Sequence, residues 1–276
     1  MTSTHRSHTE DIDPTVPSVA RMYDYALGGK NWFDIDRRVY EHFKTVVPHQ
    51  DDVGLANRRW LERVVRYVTH AVGLNQVLDL GSGLPTQKNT HEVAQEFGNP
   101  ATVVYADNDP ACVARGRELL ATNDATHFLD LDLTDPAAVW SHPELGRHLD
   151  LNRPLLLMQC GTLHHVDDGD EAAQIMHDYV RRLPAGSYVM ISHFFDPGDE
   201  DEQLHRLARR AEQALHDEGL GTGRWRTRAE IGALFDGLTM VEPGLVTPDR
   251  WWPSGPPVRD PWPDELLLIG GLGRKC

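Results

Sequence analysis

The pattern of apolar positions changes character near residue 74, and that change divides the chain. Before it, Leu55, Leu61, Val64, Val65 and Val68 recur near helical spacing along 52–72, a stretch that Gly73 closes. Two shorter helical stretches come first. One, over 18–27, opens at the capping hydroxyl of Ser18 and stops at Gly28-Gly29; the other, over 33–46, ends before Pro48. The residues ahead of Pro17 are polar and aperiodic, so 1–16 reads as a disordered tail and 17–73 as a helical cap.

After residue 74, short apolar runs at 76–80, 102–106, 127–131, 154–160 and 187–194 alternate with helical patterns over 89–97, 110–121, 136–140 and 169–183. Apolar strands this short, separated by helices, belong to a parallel sheet covered on both faces, with ligands beyond the strand carboxyl ends. A polar helix over 200–218, a short helix over 229–235 and two late strands, 238–242 and 266–269, complete the reading. Residues 74–276 therefore form one α/β domain with a mostly parallel seven-stranded sheet. The Pro- and Trp-rich segment 248–263 is a long loop, and no internal repeat is visible.

Bulk composition narrows the function classes. The 276 residues, 40% of them hydrophobic, suffice for a sizeable core. Cys112, Cys160 and Cys276 are far apart and lack C-x-x-C spacing, which points to a reducing, cytoplasmic setting rather than a disulfide framework. Residues 1–20 hold no apolar core of signal-peptide length, and no later run approaches membrane-spanning length. A formal net charge of -15 would repel a phosphate backbone, so nucleic acid is not an expected partner. The 15 histidines are scattered without metal-ligand spacing, and no metal is expected.

The chemistry concentrates at "VLDLGSGLPT", 77–86, where a strand runs into Asp79 and then the turn Gly81-Ser82-Gly83. A phosphate-binding P-loop would need Gly-Lys followed by Ser or Thr, which this turn lacks. A dinucleotide fingerprint would need a third glycine at position 86, where Thr stands, so a nicotinamide oxidoreductase is a weakened reading. What remains is a nucleoside ligand without phosphates, and S-adenosylmethionine is one. The next strand ends agree: Asp107 closes "VVYADND" where a carboxylate can accept from ribose hydroxyls, and Asp132 follows the third strand in "FLDLDLTDP" where one can accept from an adenine amine. The alternative for each of these aspartates is an ordinary helix cap.

The stretches "ARMYDYALGGKNWFDIDR", "ANRRWLERVVRYV", "DLGSGLPTQKNTHEVAQ", "VVYADNDP", "DLTDP", "RLPAGSYVMISH" and "RTRAEIGALFDGLTMVEPGLV" resemble the actinobacterial S-adenosyl methyltransferase family long catalogued as a domain of unknown function. The resemblance spans nearly the whole chain beyond the tail. It implies a Rossmann-like class I methyltransferase fold whose N-terminal helices close over the cofactor. It places Asp79, Gly81, Ser82 and Gly83 at the methionine part, Asp107 and Asn108 at the ribose, and Asp132 and Leu133 at the adenine. Tyr23, Gly28, Gly29 and Lys30 would belong to the lid. Where the family usually reads Gly-Gly-Lys-Asp-Asn followed by Phe or Tyr, this chain has an asparagine and an indole, Asn31 and Trp32.

A sulfonium attracts aromatic faces such as Tyr23, Trp32 or Phe33, and Arg21 or Arg58 can pair with the cofactor's carboxylate. After the fourth strand, "CGTLHHVDD" sets Gln159, Cys160, His164 and His165 on the edge where a methyl acceptor sits, and His193 ends the fifth strand. Histidine suits general base work, needed only if the acceptor must lose a proton; His164 and His165, with Tyr23, are the catalytic candidates. Trp251 and Trp252 either line the acceptor pocket or anchor their loop. The expected function is methyl transfer from S-adenosylmethionine to a small molecule, with other cofactor chemistry or a non-catalytic binding protein as rivals. Acceptor and oligomeric state are not legible.

Overall fold

In a computed structural model, residues 12–276 are described apart from 86–87, 97, 99, 121–122, 221 and 257–258. Most of the expected tail, 1–11, lies outside the described residues. Within 12–16, a turn brings Val16 N–H to Asp13 O, and Arg21 donates to the Val16 carbonyl.

Three helices open the chain: α1 (Val19–Ala26), α2 (Asp34–Phe43) and α3 (Gln50–Arg66). Ser18 caps α1 as expected, its hydroxyl accepting from Arg21 N–H. The stretch expected as one helix over 52–72 changes at Tyr67–Ala71 into a single π turn. Strands β1 (Gln76–Leu80), β2 (Thr102–Asp107), β3 (Thr126–Asp130), β4 (Leu156–Cys160) and β5 (Tyr188–Phe194) follow, with β6 (Thr239–Met240) and β7 (Leu268–Arg274) at the end. Between them lie α4 (Thr90–Glu96), α5 (Pro110–Leu119), α6 (Pro136–Ser141), α7 (Pro143–His148), α8 (Gly169–Arg182), α9 (Glu202–Asp217) and α10 (Arg228–Ala233). Helix α7 has no counterpart in the sequence reading; Pro143 starts it and the fully buried Leu145 holds it down.

The seven strands run in the order β3-β2-β1-β4-β5-β7-β6, with β7 antiparallel to both neighbours. Alternate residues of each strand enter different layers. Leu78, Val104, Leu157 and Val189 pack in one core against α8, while Val77, Val103, Leu156 and Met190 pack in another with Trp60 and Val64 of α3. Both faces are covered, as the near-continuous apolar strands require. The strand order reverses between β1 and β4, so the crevice beyond their carboxyl ends is where such a sheet binds its ligand.

The last strand, expected over 266–269, runs on through Gly270, Gly271 and Gly273 to Arg274. Each is forced by crowding: a Cβ on Gly270 would stand 2.6 Å from the Trp60 ring, one on Gly271 2.8 Å from Leu245, and one on Gly273 2.9 Å from Leu238. Trp251 anchors its loop here. It is fully buried, donates its indole N–H to Gly270 O at 2.9 Å and meets Trp60 edge to face.

Candidate functional site

The turn after β1 is built from a carboxylate below it and small side chains around it. Gly81 (φ +66°) and Gly83 (φ +69°) are both left-handed, a region that favours glycine. A Cβ on Gly81 would overlap the Thr162 methyl group and approach Leu133 to 3.1 Å, whereas nothing lies within 4 Å of one on Gly83. Gly83 N–H donates to Asp107 Oδ2 at 2.8 Å, and the other carboxylate oxygen accepts from Asp109 N–H at 2.9 Å. The second strand end is thereby tied to the first. Asp109 and Asp135 cap α5 and α6, so Asp107 and Asp132 are not spent as helix caps. Asp132 is exposed and holds Thr134 through one oxygen, Oδ1; Asn108 is exposed too. Leu133 packs over Gly81 from the third strand end.

Asp79 is buried below the turn, bonded by the Thr90 hydroxyl at 2.9 Å. Burial pushes its carboxyl up to about 6, against the pull of Thr90 and of the Arg58 guanidinium. Arg58, from α3, donates to the Lys88 carbonyl, while its Nε is buried without a partner. Ser82 Oγ and Gln159 Nε2 are also buried and unpartnered; the Gln159 oxygen accepts from the Thr162 hydroxyl at 2.9 Å. A buried acid with a raised pKa, an open glycine and three polar atoms without partners gather at the carboxyl ends of β1 and β4. That donor set suits an amino acid moiety: Asp79 for its ammonium, Arg58 for its carboxylate.

Tyr23 of α1 lies over this region. Its hydroxyl donates to Gly54 O at 3.3 Å, and burial, against the pull of Arg58 and Asn57, holds the phenol above its ordinary range. Arg21, by contrast, is committed elsewhere: its Nε donates to Asp36 at 2.7 Å in a fully buried ion pair. Asp36 also accepts from Ser18 N–H and Phe33 N–H. Arg21 thus latches the cap rather than facing a cofactor carboxylate, because the acid that takes it lies fifteen positions on in sequence, on α2. The segment 28–31 wraps a second buried acid. Asp24 accepts from Asn31 N–H at 2.8 Å, and a Cβ on Gly29 would overlap that carboxylate. Gly28 is left-handed with open space around it, and Lys30 is exposed. Trp32 turns its indole N–H to Gly29 O at 3.0 Å and packs on Tyr25.

Beyond β4 the two adjacent histidines diverge. His164 is buried, stacks on Phe194 at 3.7 Å, and has no partner at Nδ1. Its pKa is held well below 6.5, first by burial and then by His165, His193 and Arg226. His165 Nδ1 pairs with the Thr222 hydroxyl at 3.1 Å, and burial brings its pKa to about 4. His193 is pinned between Phe194 O at 2.7 Å and Arg226 Nη1 at 2.9 Å, with a pKa near 3 set chiefly by burial. All three are neutral at neutral pH. The sequence reading missed Asn57, Thr162 and Arg226. Asn57 is adjacent to Arg58 in the quoted "ANRRW" and Thr162 stands in the quoted "CGTLHHVDD", three residues from the Gln159 it bonds, which were the available signals; Arg226 acts through contacts distant in sequence.

Comparisons with known proteins bear on the family and the fold. A family model described as S-adenosyl methyltransferase matches residues 5–276. A crystal structure from Thermobifida fusca, of a protein assigned to the methyltransferases, is 36% identical, with a TM-score of 0.87 over 95% of this chain and 96% of that one. A DUF574 family protein from Streptomyces avermitilis is 32% identical, with a TM-score of 0.86 over 98% of this chain and 100% of that one. At 12% identity, the magnesium protoporphyrin IX methyltransferase from Synechocystis, solved with bound S-adenosylmethionine, shares the class I fold alone, with a TM-score of 0.53 over 100% of both chains. No curated protein matches. The match runs through cap and sheet alike, and two relatives exceed 30% identity over nearly their full length. The chain belongs to the S-adenosyl methyltransferase family and is an S-adenosylmethionine-dependent methyltransferase.

Proposed function

We propose that the methyl group goes to a small-molecule acceptor seated between the carboxyl end of β4 and the cap formed by 17–73. The observation that carries the methyl-transfer reading is the group of unpartnered buried atoms, Ser82 Oγ, Arg58 Nε and Gln159 Nε2, around the open turn at Gly83, a set that suits the amino acid end of the cofactor. S-adenosylmethionine brings a methyl group already activated for displacement by its sulfonium. The chain's own task is positioning, because holding two reactants in line contributes on the order of 7–11 kcal/mol to such a step. Asp79 and Arg58 hold the amino acid end, Ser82 and Gln159 supply further polar contacts, Asp107 and Asn108 take the ribose, and Asp132 and Leu133 border the adenine. Tyr23, Gly28, Gly29 and Lys30 form the lid, which excludes water from the reacting atoms.

No helix among the described residues is long and apolar enough to cross a membrane, and the charge of -15 disfavours a nucleic-acid acceptor. The three cysteines are free, in keeping with a cytoplasmic setting. The test is S-adenosylhomocysteine release with cell extract split by mass. Turnover confined to the fraction below about 1 kDa, the range of drug-sized ligands that pockets enclose, supports a small acceptor. Turnover confined to the macromolecular fraction overturns it.

Asp79 makes cofactor binding depend on pH. Its carboxyl rises from 3.8 to about 6 on folding, so between those values the folded protein holds more protons than the unfolded one. Stability from this group is therefore greatest at low pH and is lost as pH rises towards 6. An ammonium partner favours the ionised form, so cofactor affinity should rise as pH increases through about 6, with protons released on binding below it. Calorimetry in buffers of differing ionisation enthalpy reads both effects, and Asp79→Asn should abolish the proton release.

A further inference from the structure

The cap and the second strand end are joined by a hydrogen bond that the cofactor contacts above do not use. Ser18 Oγ donates to Asp109 Oδ2 at 2.6 Å, across 91 positions of sequence. The hydroxyls of Tyr23 and Tyr25, by contrast, stay within the cap, on Gly54 O and Glu41. Both ends of the bond are engaged further. Ser18 N–H donates to Asp36 Oδ1 at 2.9 Å, and Ser18 Oγ accepts from Arg21 N–H as the cap of α1. Asp109 Oδ1 accepts from Ala111 N–H at 2.8 Å, capping α5, while Asp109 N–H donates to Asp107 Oδ1 at 2.9 Å. The other oxygen of Asp107 accepts from Gly83 N–H at 2.8 Å. A carboxylate only accepts, so every proton in this chain has one direction. The chain runs unbroken from the first turn of the cap, through Asp109, to Asp107 and the glycine turn.

We infer that Ser18 is a positioning residue for the ribose end of the cofactor: its hydroxyl sets the 107–109 turn, so that docking of α1 and occupation of the Asp107 site favour one another. This rests on the proposed placement of the ribose on Asp107 and adds the residue through which the cap acts on it. Each oxygen of Asp107 already accepts one N–H, so ribose hydroxyls use the remaining lone pairs. Where those lone pairs point depends on how the Asp109 peptide holds the carboxylate. Asp109 loses a charge-assisted partner when α1 moves away, a bond of the stronger class. Fixing either end therefore stiffens the other. Linkage makes the effect reciprocal: the factor by which bound cofactor favours docked α1 is the factor by which docked α1 tightens the cofactor.

The test is hydrogen exchange of the α1 amides in the full chain, with and without saturating S-adenosylmethionine, alongside calorimetric titration. In the wild type, bound cofactor should slow exchange in α1 about five- to tenfold, the low end of the usual range of coupling. Ser18→Gly removes the hydroxyl but leaves a residue that caps helices acceptably, and Asp109→Ser keeps a cap on α5 while dropping the second oxygen. Each should lose most of that slowing and bind S-adenosylmethionine more weakly by the factor lost; Ser18→Thr should restore both. A purely structural bond would speed exchange equally with and without ligand, so a ratio that Ser18→Gly and Asp109→Ser leave unchanged overturns the inference. So does a wild-type ratio near one, which needs no variant to fold. Asp107→Ala tells the two failures apart. If it binds S-adenosylmethionine as tightly as the wild type, the ribose placement is wrong and the inference falls with it. If it weakens binding while Ser18→Gly keeps the wild-type ratio, the role of Ser18 alone is overturned.

Discussion

Replacing Gly81 with alanine should destabilise the protein by about 2–5 kcal/mol and abolish cofactor binding. Two costs add: a left-handed backbone costs a residue with a Cβ roughly 1–2 kcal/mol, and overpacking costs about 1–3 kcal/mol more. The backbone there stands at φ +66°, and the new methyl would overlap Thr162 and press on Leu133. Thr162 cannot yield freely, because its hydroxyl is bonded to Gln159. Gly83→Ala is the control that separates fold from function. Its φ is +69° but it meets nothing, so only the backbone cost of roughly 1–2 kcal/mol applies. If ligand fills that open space, Gly83→Ala loses affinity out of proportion to its small loss of stability. Urea denaturation and S-adenosylmethionine titration of both variants measure the contrast; equal losses of stability at the two glycines would contradict it.

The second large effect is expected at Arg21. Arg21→Met leaves the Asp36 carboxylate buried without its cation, and breaking such a pair typically costs about 3–5 kcal/mol. Asp36 keeps its bonds from Ser18 and Phe33 N–H, which places the loss towards the lower end of that range. The Arg21→Met, Asp36→Leu double variant removes the stranded charge and should recover much of the stability. Because the guanidinium is spent on the latch, S-adenosylmethionine affinity of folded Arg21→Met should change little. A large loss of affinity with stability intact, seen by comparing urea midpoints with titrations, would return Arg21 to the cofactor.

The contrast between Arg21 and Arg58 shows what the sequence could reveal. Both arginines lie on helices of the cap beside aromatic residues, and charge alone made them equal candidates for a carboxylate. Only the fold brings Asp36 under one of them and leaves the other's Nε unpartnered near Asp79. The strand-end acids were legible because parallel strands deliver their carboxyl ends to one edge, so an Asp at each end is a pattern in one dimension. The second and third of them escape helix capping because Asp109 and Asp135 do that work two and three residues later.

The β-strand rhythm was legible for the same reason: apolar runs of five or so residues, punctuated by glycine and proline, leave little choice of element. It fell short at β7, where the expected strand over 266–269 stops ahead of Gly270, Gly271 and Gly273, which the observed strand Leu268–Arg274 includes. The structure needs them because Trp60, Leu245 and Leu238 crowd the strand from both faces, and crowding is invisible until the faces are packed. The histidine pair lay between these cases. Its position after β4 could be read, but which imidazole turns inward depends on the stacking partner Phe194, thirty residues away.

The most direct test of the account is calorimetric titration of the purified chain with S-adenosylmethionine and with NAD, repeated on Asp107→Ala. The account predicts saturable binding of S-adenosylmethionine at one site per chain and no binding of NAD. Asp107→Ala should weaken it about ten- to a hundredfold, the loss expected for hydrogen bonds to a charged group. Binding of S-adenosylmethionine that Asp107→Ala leaves unchanged, or binding of NAD in its place, would contradict the placement of the cofactor at the turn after β1.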